Sequence, residues 1–226
     1  MKILYNISFW TFCCISLQLL TGCEKQPAFG NDRALSGTMK DKSGNIIAGD
    51  ITTTDFIVKA LGAGDVVTTD MRVMGDGTFQ NNKLYAKKYK IWVSGPVTTQ
   101  DTFSVDLAAE KTVVHDFIVD PFVMINTPAV SGNLTAATVD IQYGMTAQSG
   151  RTITKRELYC STNPFPNAII GSGYGYTTTK VTLTGDSGTA TVSGLVTKTR
   201  YYIRIGVQTT DGHGFNYSQQ IEITTL

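Results

Sequence analysis

The residues best placed for chemistry stand near the start of the chain. Leu20-Thr21-Gly22-Cys23 is a branched apolar residue, two small residues and a cysteine. Lys2 and a mostly apolar run over residues 3–20, with Phe9, Trp10, Ile15, Leu17 and Leu19, come before it. A charged start, an apolar middle and a small-residue end make a secretory signal. The last four residues have lipobox spacing, in which the chain is cut before the cysteine and the new terminus is acylated. Asn6, Ser8 and Gln18 interrupt the apolar run, which sits at the short end for a membrane span of roughly 20 residues. The reading is a signal peptide over residues 1–22 and a lipidated Cys23. Two or three acyl chains bury many methylenes at about 0.8 kcal/mol each, so such an anchor holds without a spanning helix.

Beyond Cys23 the residues that could do chemistry are scattered. The two histidines, His115 and His213, are far apart, and no cluster of nitrogen or sulfur ligands has the spacing of a zinc site. There is no Gly-x-Ser-x-Gly elbow and no phosphate loop. Gly171-Ser172-Gly173-Tyr174-Gly175 is glycine-rich, but no helix follows it, so it reads as a flexible loop. Asp41, Ser43 and Asn45 echo the spacing of a calcium loop without its bidentate Glu. A turn held by Asp and Asn side chains is the better reading. The expectation is a non-enzyme with no catalytic residue, metal site or cofactor. What remains is aromatic. Trp92 alternates away from Tyr89, Ile91 and Val93, and Phe165, Tyr174 and Tyr176 fall in or near loops. An exposed ring can cover the apolar face of a sugar, so these four are the candidate ligand-binding residues. Packing is the competing use of each.

Composition narrows the elements that position them. The 226-residue chain carries a net charge of +1 with 16% charged residues, so neither a nucleic-acid patch nor an acidic tail is present. Roughly 200 residues follow the signal, enough for one large or two small domains. Of four cysteines, Cys13 and Cys14 leave with the signal and Cys23 is lipidated. Cys160 is left without an intrachain partner and reads as a buried small hydrophobe. Short segments of period 2 between turn residues predict an all-β chain.

Residues 23–32 read as a tether that lets the first domain stand slightly off the bilayer. Residues 33–120 hold about seven predicted strands, among them 50–61, 89–93 and 112–119. Asp120-Pro121-Phe122 reads as the junction, since proline cannot continue a central ladder. Residues 121–226 hold strands around 123–125, 139–143, 156–161, 178–183, 189–192 and 201–207, with a last hairpin at Gly212 and Gly214.

Two resemblances give these segments a fold. Gly37, Asp41 and Gly44, then Asp76, Gly77 and Phe79, then Leu84, Tyr89 and Ile91 resemble the motifs of the carboxypeptidase-regulatory-like (transthyretin-like) sandwich. That family usually has Gly where Lys87 stands. Leu195, Tyr201 and the alternating Ile203, Ile205 and Val207 resemble the end of a fibronectin type III sandwich, with Tyr201 as the corner tyrosine whose hydroxyl ties to nearby backbone. The fold implied is two tandem β-sandwich domains. Together with the lipobox they resemble a lipoprotein family of unknown function from Bacteroidetes, usually encoded in polysaccharide-utilisation loci. The resemblance implies outer-membrane anchoring, a polysaccharide as ligand, and an outer-membrane transporter and a glycan-capture lipoprotein as partners. The alternative it leaves open is a structural module that contacts partner surface lipoproteins.

The lipobox makes a direct prediction. Cys23→Ser should abolish metabolic labelling with palmitate and release the protein from the membrane fraction; unchanged labelling would refute acylation at this residue.

Overall fold

A computed structural model of the chain describes residues 30–98, 102–211 and 214–226. Cys23 and His213 lie outside the described residues, as does Gly212 of the expected last hairpin. The described residues form strands and loops without a helix.

The first sandwich contains β1 (Arg33–Lys40), β2 (Ile57–Gly62), β3 (Thr69–Arg72), β4 (Thr78–Leu84), β5 (Lys88–Ser94), β6 (Val97–Thr98), β7 (Phe103–Asp106), β8 (Thr112–Val114) and β9 (Phe117–Ile118). One sheet has the order β4-β1-β8, with β9 also on β1, and the other has the order β3-β2-β5-β7. Between them lies a core running from Leu35 to Val119, with Phe79, Tyr89 and Ile91 among its buried side chains. The period-2 pattern decides which residues enter it. Along β5, Tyr89, Ile91 and Val93 are buried while Trp92 is half-buried on the other face.

Three local expectations change. The strand expected over 112–119 is broken at His115-Asp116. The His115 carbonyl closes on β1, where a Cβ at Gly37 would stand 1.8 Å from its oxygen. Asp116 turns back to accept from the Thr38 N–H at 2.9 Å and from Lys40 Nζ at 2.6 Å. The strand expected over 50–61 begins only at Ile57, because Asp50 is committed elsewhere. Finally, Lys87 does not stand in the left-handed region, where Phe165 and Lys198 are the non-glycine residues among those described. The position therefore needs no glycine, and Lys87 instead places its ammonium 2.6 Å from Asp65.

The second sandwich follows β10 (Asp120–Pro121) and contains β11 (Val123–Ile125), β12 (Ala129–Leu134), β13 (Thr138–Ala147), β14 (Ile153–Ser161), β15 (Thr179–Thr182), β16 (Ser187–Ser193), β17 (Arg200–Thr209), β18 (Phe215–Tyr217) and β19 (Ile221–Thr224). β13 pairs with β11, β12 and β16 in one sheet; the other has the order β15-β14-β17-β18, with β19 also on β17. β12 was not legible in the sequence, because Ser131, Gly132 and Asn133 are polar and exposed. The core runs from Phe122 to Ile223 and includes Cys160, whose thiol burial pushes up to about 12. The Val196 N–H donates to the Tyr201 hydroxyl at 2.9 Å, so Tyr201 makes the corner read from the sequence.

The two sandwiches meet along a polar seam. β10 pairs with β6, and the Phe122 N–H donates to the Pro96 carbonyl at 2.9 Å. Asn216 accepts from the Val123 N–H at 3.1 Å and donates to the same Pro96 carbonyl at 2.9 Å. At the centre is Arg204 of β17, fully buried. Its guanidinium lies over the Tyr217 ring, 3.9 Å from the centroid. Nε donates to the Pro166 carbonyl, and Nη1 donates to the Gly49 carbonyl of the first sandwich at 3.0 Å. Next to Gly49, the buried Asp50 accepts from the Thr52 N–H at 2.9 Å, from Asn167 Nδ2 at 2.9 Å and from the Tyr217 hydroxyl at 3.1 Å. Burial pulls the Arg204 pKa down, and electrostatic interaction with Tyr217 and Asp50 opposes that pull.

Removing the carboxylate should therefore withdraw a favourable charge from near the buried guanidinium and leave Asn167 Nδ2 and the Tyr217 hydroxyl without their buried acceptor. Asp50→Ala is expected to lower stability by about 3–5 kcal/mol, read by denaturant unfolding. It should also split a single wild-type transition into two. A loss below about 1 kcal/mol, as for an exposed pair, would show that the seam does not depend on this charge.

Candidate functional site

The connection between β14 and β15 spans residues 162–178 and carries three of the four candidate aromatics. Phe165 stands between Pro164 and Pro166 with φ of 56°. A bulky residue rarely adopts the left-handed region, and residues before proline favour extended backbone. Such conformations cost about 1–3 kcal/mol and persist only where the surroundings over-determine them. Here three contacts do so. The Phe165 N–H donates to Gln220 Oε1 at 2.7 Å. The next carbonyl, of Pro166, accepts from Arg204. The ring lies on Gly75 of the first sandwich, where a Cβ would stand 2.3 Å from Phe165 Cγ.

Phe165 then supports Tyr174. Their centroids are 5.9 Å apart and the planes meet at 68°, an edge-to-face contact. Tyr174 remains 45% exposed. Burial of its remaining surface raises its pKa, and the negative charge of Asp76 adds to the rise. A half-open ring is thus braced by Phe165 and feels the negative charge of Asp76 on the neighbouring sandwich. Tyr176 has a different place. It is half-buried, and a Cβ at Gly171 would stand 3.1 Å from its ring, so it packs against its own loop. Ile169 and Ile170, at 41% and 65% exposed, continue the open surface of the loop.

Trp92 lies in a separate groove of about 400 Å³ with Ser94, Val97, Phe122 and Arg151. The Arg151 guanidinium is fixed 3.7 Å above the Phe122 ring and pairs with Asp211 at 2.7 Å. A cleft of about 570 Å³ on the seam, between the Asp41 turn and residues 123–127, contains none of the four aromatics. Burial raises the Asp41 pKa, but donors from Asn45, Ser43 and Gly44 outweigh it, and the carboxyl sits below its ordinary range. Its Oδ1 accepts from the Ser43 and Asn45 N–H groups at 2.8 Å each, and Oδ2 accepts from Asn45 Nδ2 at 2.8 Å. That is the side-chain-held turn read from the sequence. Among the described residues no group of three His, Cys, Asp or Glu could hold a metal ion.

Known structures share this fold. No family model matches the chain, and no curated protein matches it. The fold, however, has solved counterparts. A DUF3823 family protein from Bacteroides ovatus is 16% identical, with a TM-score of 0.69 over 85% of this chain and 98% of that one. A DUF3823 family protein from Parabacteroides merdae is 17% identical, with a TM-score of 0.67 over 84% and 98%. A protein from Bacteroides uniformis, described as a "putative carbohydrate binding protein", is 18% identical, with a TM-score of 0.65 over 86% and 100%. At these identities the likeness is one of fold, and it spans most of this chain.

Sequence reasoning found the rings but missed their supports. Arg204, Asp50, Asn167 and Gly75 carried no motif. The one available signal was a charged residue within the apolar run Tyr201-Tyr202-Ile203-Arg204-Ile205, a position that burial leaves unpaired only at high cost.

The Gly75 contact can be tested directly. Gly75→Ala should push Phe165 off the first sandwich and cost about 1–3 kcal/mol, the range for overpacking, as read by thermal unfolding. Unchanged stability would mean that the loop is not clamped at this point.

Proposed function

We propose that the protein is a non-catalytic, lipid-anchored outer-membrane module that binds carbohydrate and assists polysaccharide capture and uptake. The observation that carries this reading is Tyr174, a half-exposed ring braced edge-to-face by Phe165. A rigid ring loses little freedom on binding and can cover the apolar face of a pyranose. Trp92, in its groove beside Arg151, offers a second aromatic contact of the same kind. The Bacteroides uniformis protein of like fold, described in carbohydrate-binding terms, supports the same ligand class.

A second reading has its own observation. Ile169 and Ile170 are exposed on the same loop, and exposed apolar side chains also suit a protein partner. In that case the loop contacts an outer-membrane transporter or a glycan-capture lipoprotein, and the protein serves as an assembly module.

The test is a panel of soluble polysaccharides against residues 24–226. Tyr174→Ala should weaken binding about tenfold, which corresponds to ~1.4 kcal/mol and lies within reach of one aromatic contact. Trp92→Ala tests the second groove separately. Lack of binding across the panel, or binding indifferent to both substitutions, would reject the carbohydrate reading. Co-purification with a transporter that is lost in Ile169→Asp with Ile170→Asp would favour the assembly reading.

A further inference from the structure

The pole of the first sandwich opposite the seam is built unlike the rest of the surface. β1 enters there, with Arg33 in register with Leu84 at the end of β4. The residue after Leu84 is Tyr85, 51% exposed. The Lys87 ammonium stands 5.8 Å from the Tyr85 ring centroid and 2.6 Å from Asp65 Oδ1, so it links that ring to the β2–β3 turn. Immediately after Asp65 come Val66 and Val67, 97% and 73% exposed. No other large apolar residue among those described is as open as Val66. Two adjacent valines on a turn tip contribute nothing to the core, and water gains nothing from them.

The chain outside the described residues ends at this same pole. Residues 23–32 lie between the lipobox cysteine and Arg33. Ten residues of chain reach at most about 33–36 Å. If Cys23 is acylated, the tip is held within reach of the lipid surface, and contact between them becomes effectively intramolecular. The charges at this pole are mostly matched among themselves. Lys87 pairs with Asp65 at 2.6 Å, Lys111 with Asp32 at 3.6 Å and Lys88 with Asp106 at 3.9 Å. Asp32 is shared with Arg33 at 3.5 Å, so the pole keeps a small positive surplus, and its most open side chain is the apolar Val66.

We propose that this pole docks on the bilayer, with Val66 and Val67 inserted among the lipids and Tyr85 at the headgroup level. Aromatic rings with a polar tip favour that depth. The inference rests on the lipid-anchor reading and is an alternative to a tether that holds the domain away from the surface. It also sets the direction of the molecule. β1 and β2 run between the docked pole and the seam, so Tyr174 and the second sandwich stand at least one strand length away, about 26 Å for eight residues.

Chemical coupling separates docking from acylation. Residues 23–226 are joined through the Cys23 thiol to a maleimide lipid in phosphatidylcholine vesicles; Cys160 is buried, so Cys23 takes the coupling. Val66→Trp is made in a Trp92→Phe background, and Val196→Trp, at an exposed position of the second sandwich, is its control. Docking predicts that the indole introduced at position 66 shifts its emission to the blue and loses most of it when brominated phosphatidylcholine replaces the ordinary lipid. The control should be unaffected, and raising the salt concentration should not reverse the quenching. Equal emission in both lipids would overturn the proposal. So would a blue shift without lipid that grows with protein concentration, which would assign the tip to a second copy of the chain. Palmitate labelling of the native protein can fail without altering either result, so the anchor and the docking surface are judged independently.

Discussion

The Arg204 guanidinium is the group on which the arrangement of the two sandwiches depends. It is fully buried, with the Pro166 carbonyl from the 162–178 loop on Nε, the Gly49 carbonyl from the first sandwich on Nη1 and the face of Tyr217 against it, while Nη2 has no hydrogen-bond partner among the described residues. Transferring such a charge from water costs several kcal/mol, which only close and well-directed partners can offset. Asp50 supplies the compensating charge and is itself tied to Asn167 and Tyr217. The contacts of Arg204 with Gly49 and of Asp50 with Asn167 and Tyr217 join residues more than a hundred positions apart, so the two sandwiches share these polar groups. Tandem sandwiches joined by a short linker are often free to move against one another. Here a relative rotation would strand Arg204, and the seam therefore behaves as a fixed joint.

That joint explains the unusual loop. Phe165 accepts a left-handed backbone between two prolines because Arg204 holds the carbonyl after it and Gly75 leaves room for its ring. Tyr174 in turn rests on Phe165. The open ring thus belongs to both sandwiches at once, although the chain supplies it from only one. This is a common way to build a recognition surface: a loop gives the chemistry and a rigid scaffold fixes its geometry. Trp92 follows a simpler rule. Its place on the outer face of β5 comes from strand alternation, and the seam only adds Phe122 and Arg151 around it.

The two poles of the first sandwich are correspondingly different. At the seam, most of the polar groups are buried in hydrogen bonds, and Gly75 is fitted to the Phe165 ring. At the pole where β1 enters, valines stand open and charges are paired with one another in solvent. One pole is finished by another part of the same chain. The other is shaped for contact with something outside it.

Much of this was legible in the residues themselves. Period-2 alternation marks Tyr89, Ile91 and Val93 as core and turns Trp92 outward, because successive side chains on a strand must face opposite sides. Turn chemistry is equally local: Asp41 holds its own turn with donors two to four residues ahead, and Tyr201 closes its corner on Val196 five residues back. The sequence by itself thus determined an all-β chain, most of its strands, its turns and the rings available for binding. It did not show that residues 50–56 leave the strand pattern, that His115 breaks a strand or that Arg204 is buried. Those outcomes depend on partners far away in the chain, such as Asn167 for Asp50 and Gly37 for the His115 carbonyl. Only the tertiary structure decided them, because the free energy of a buried charge or a close backbone approach is set by what packs against it, and period and spacing carry no record of that partner.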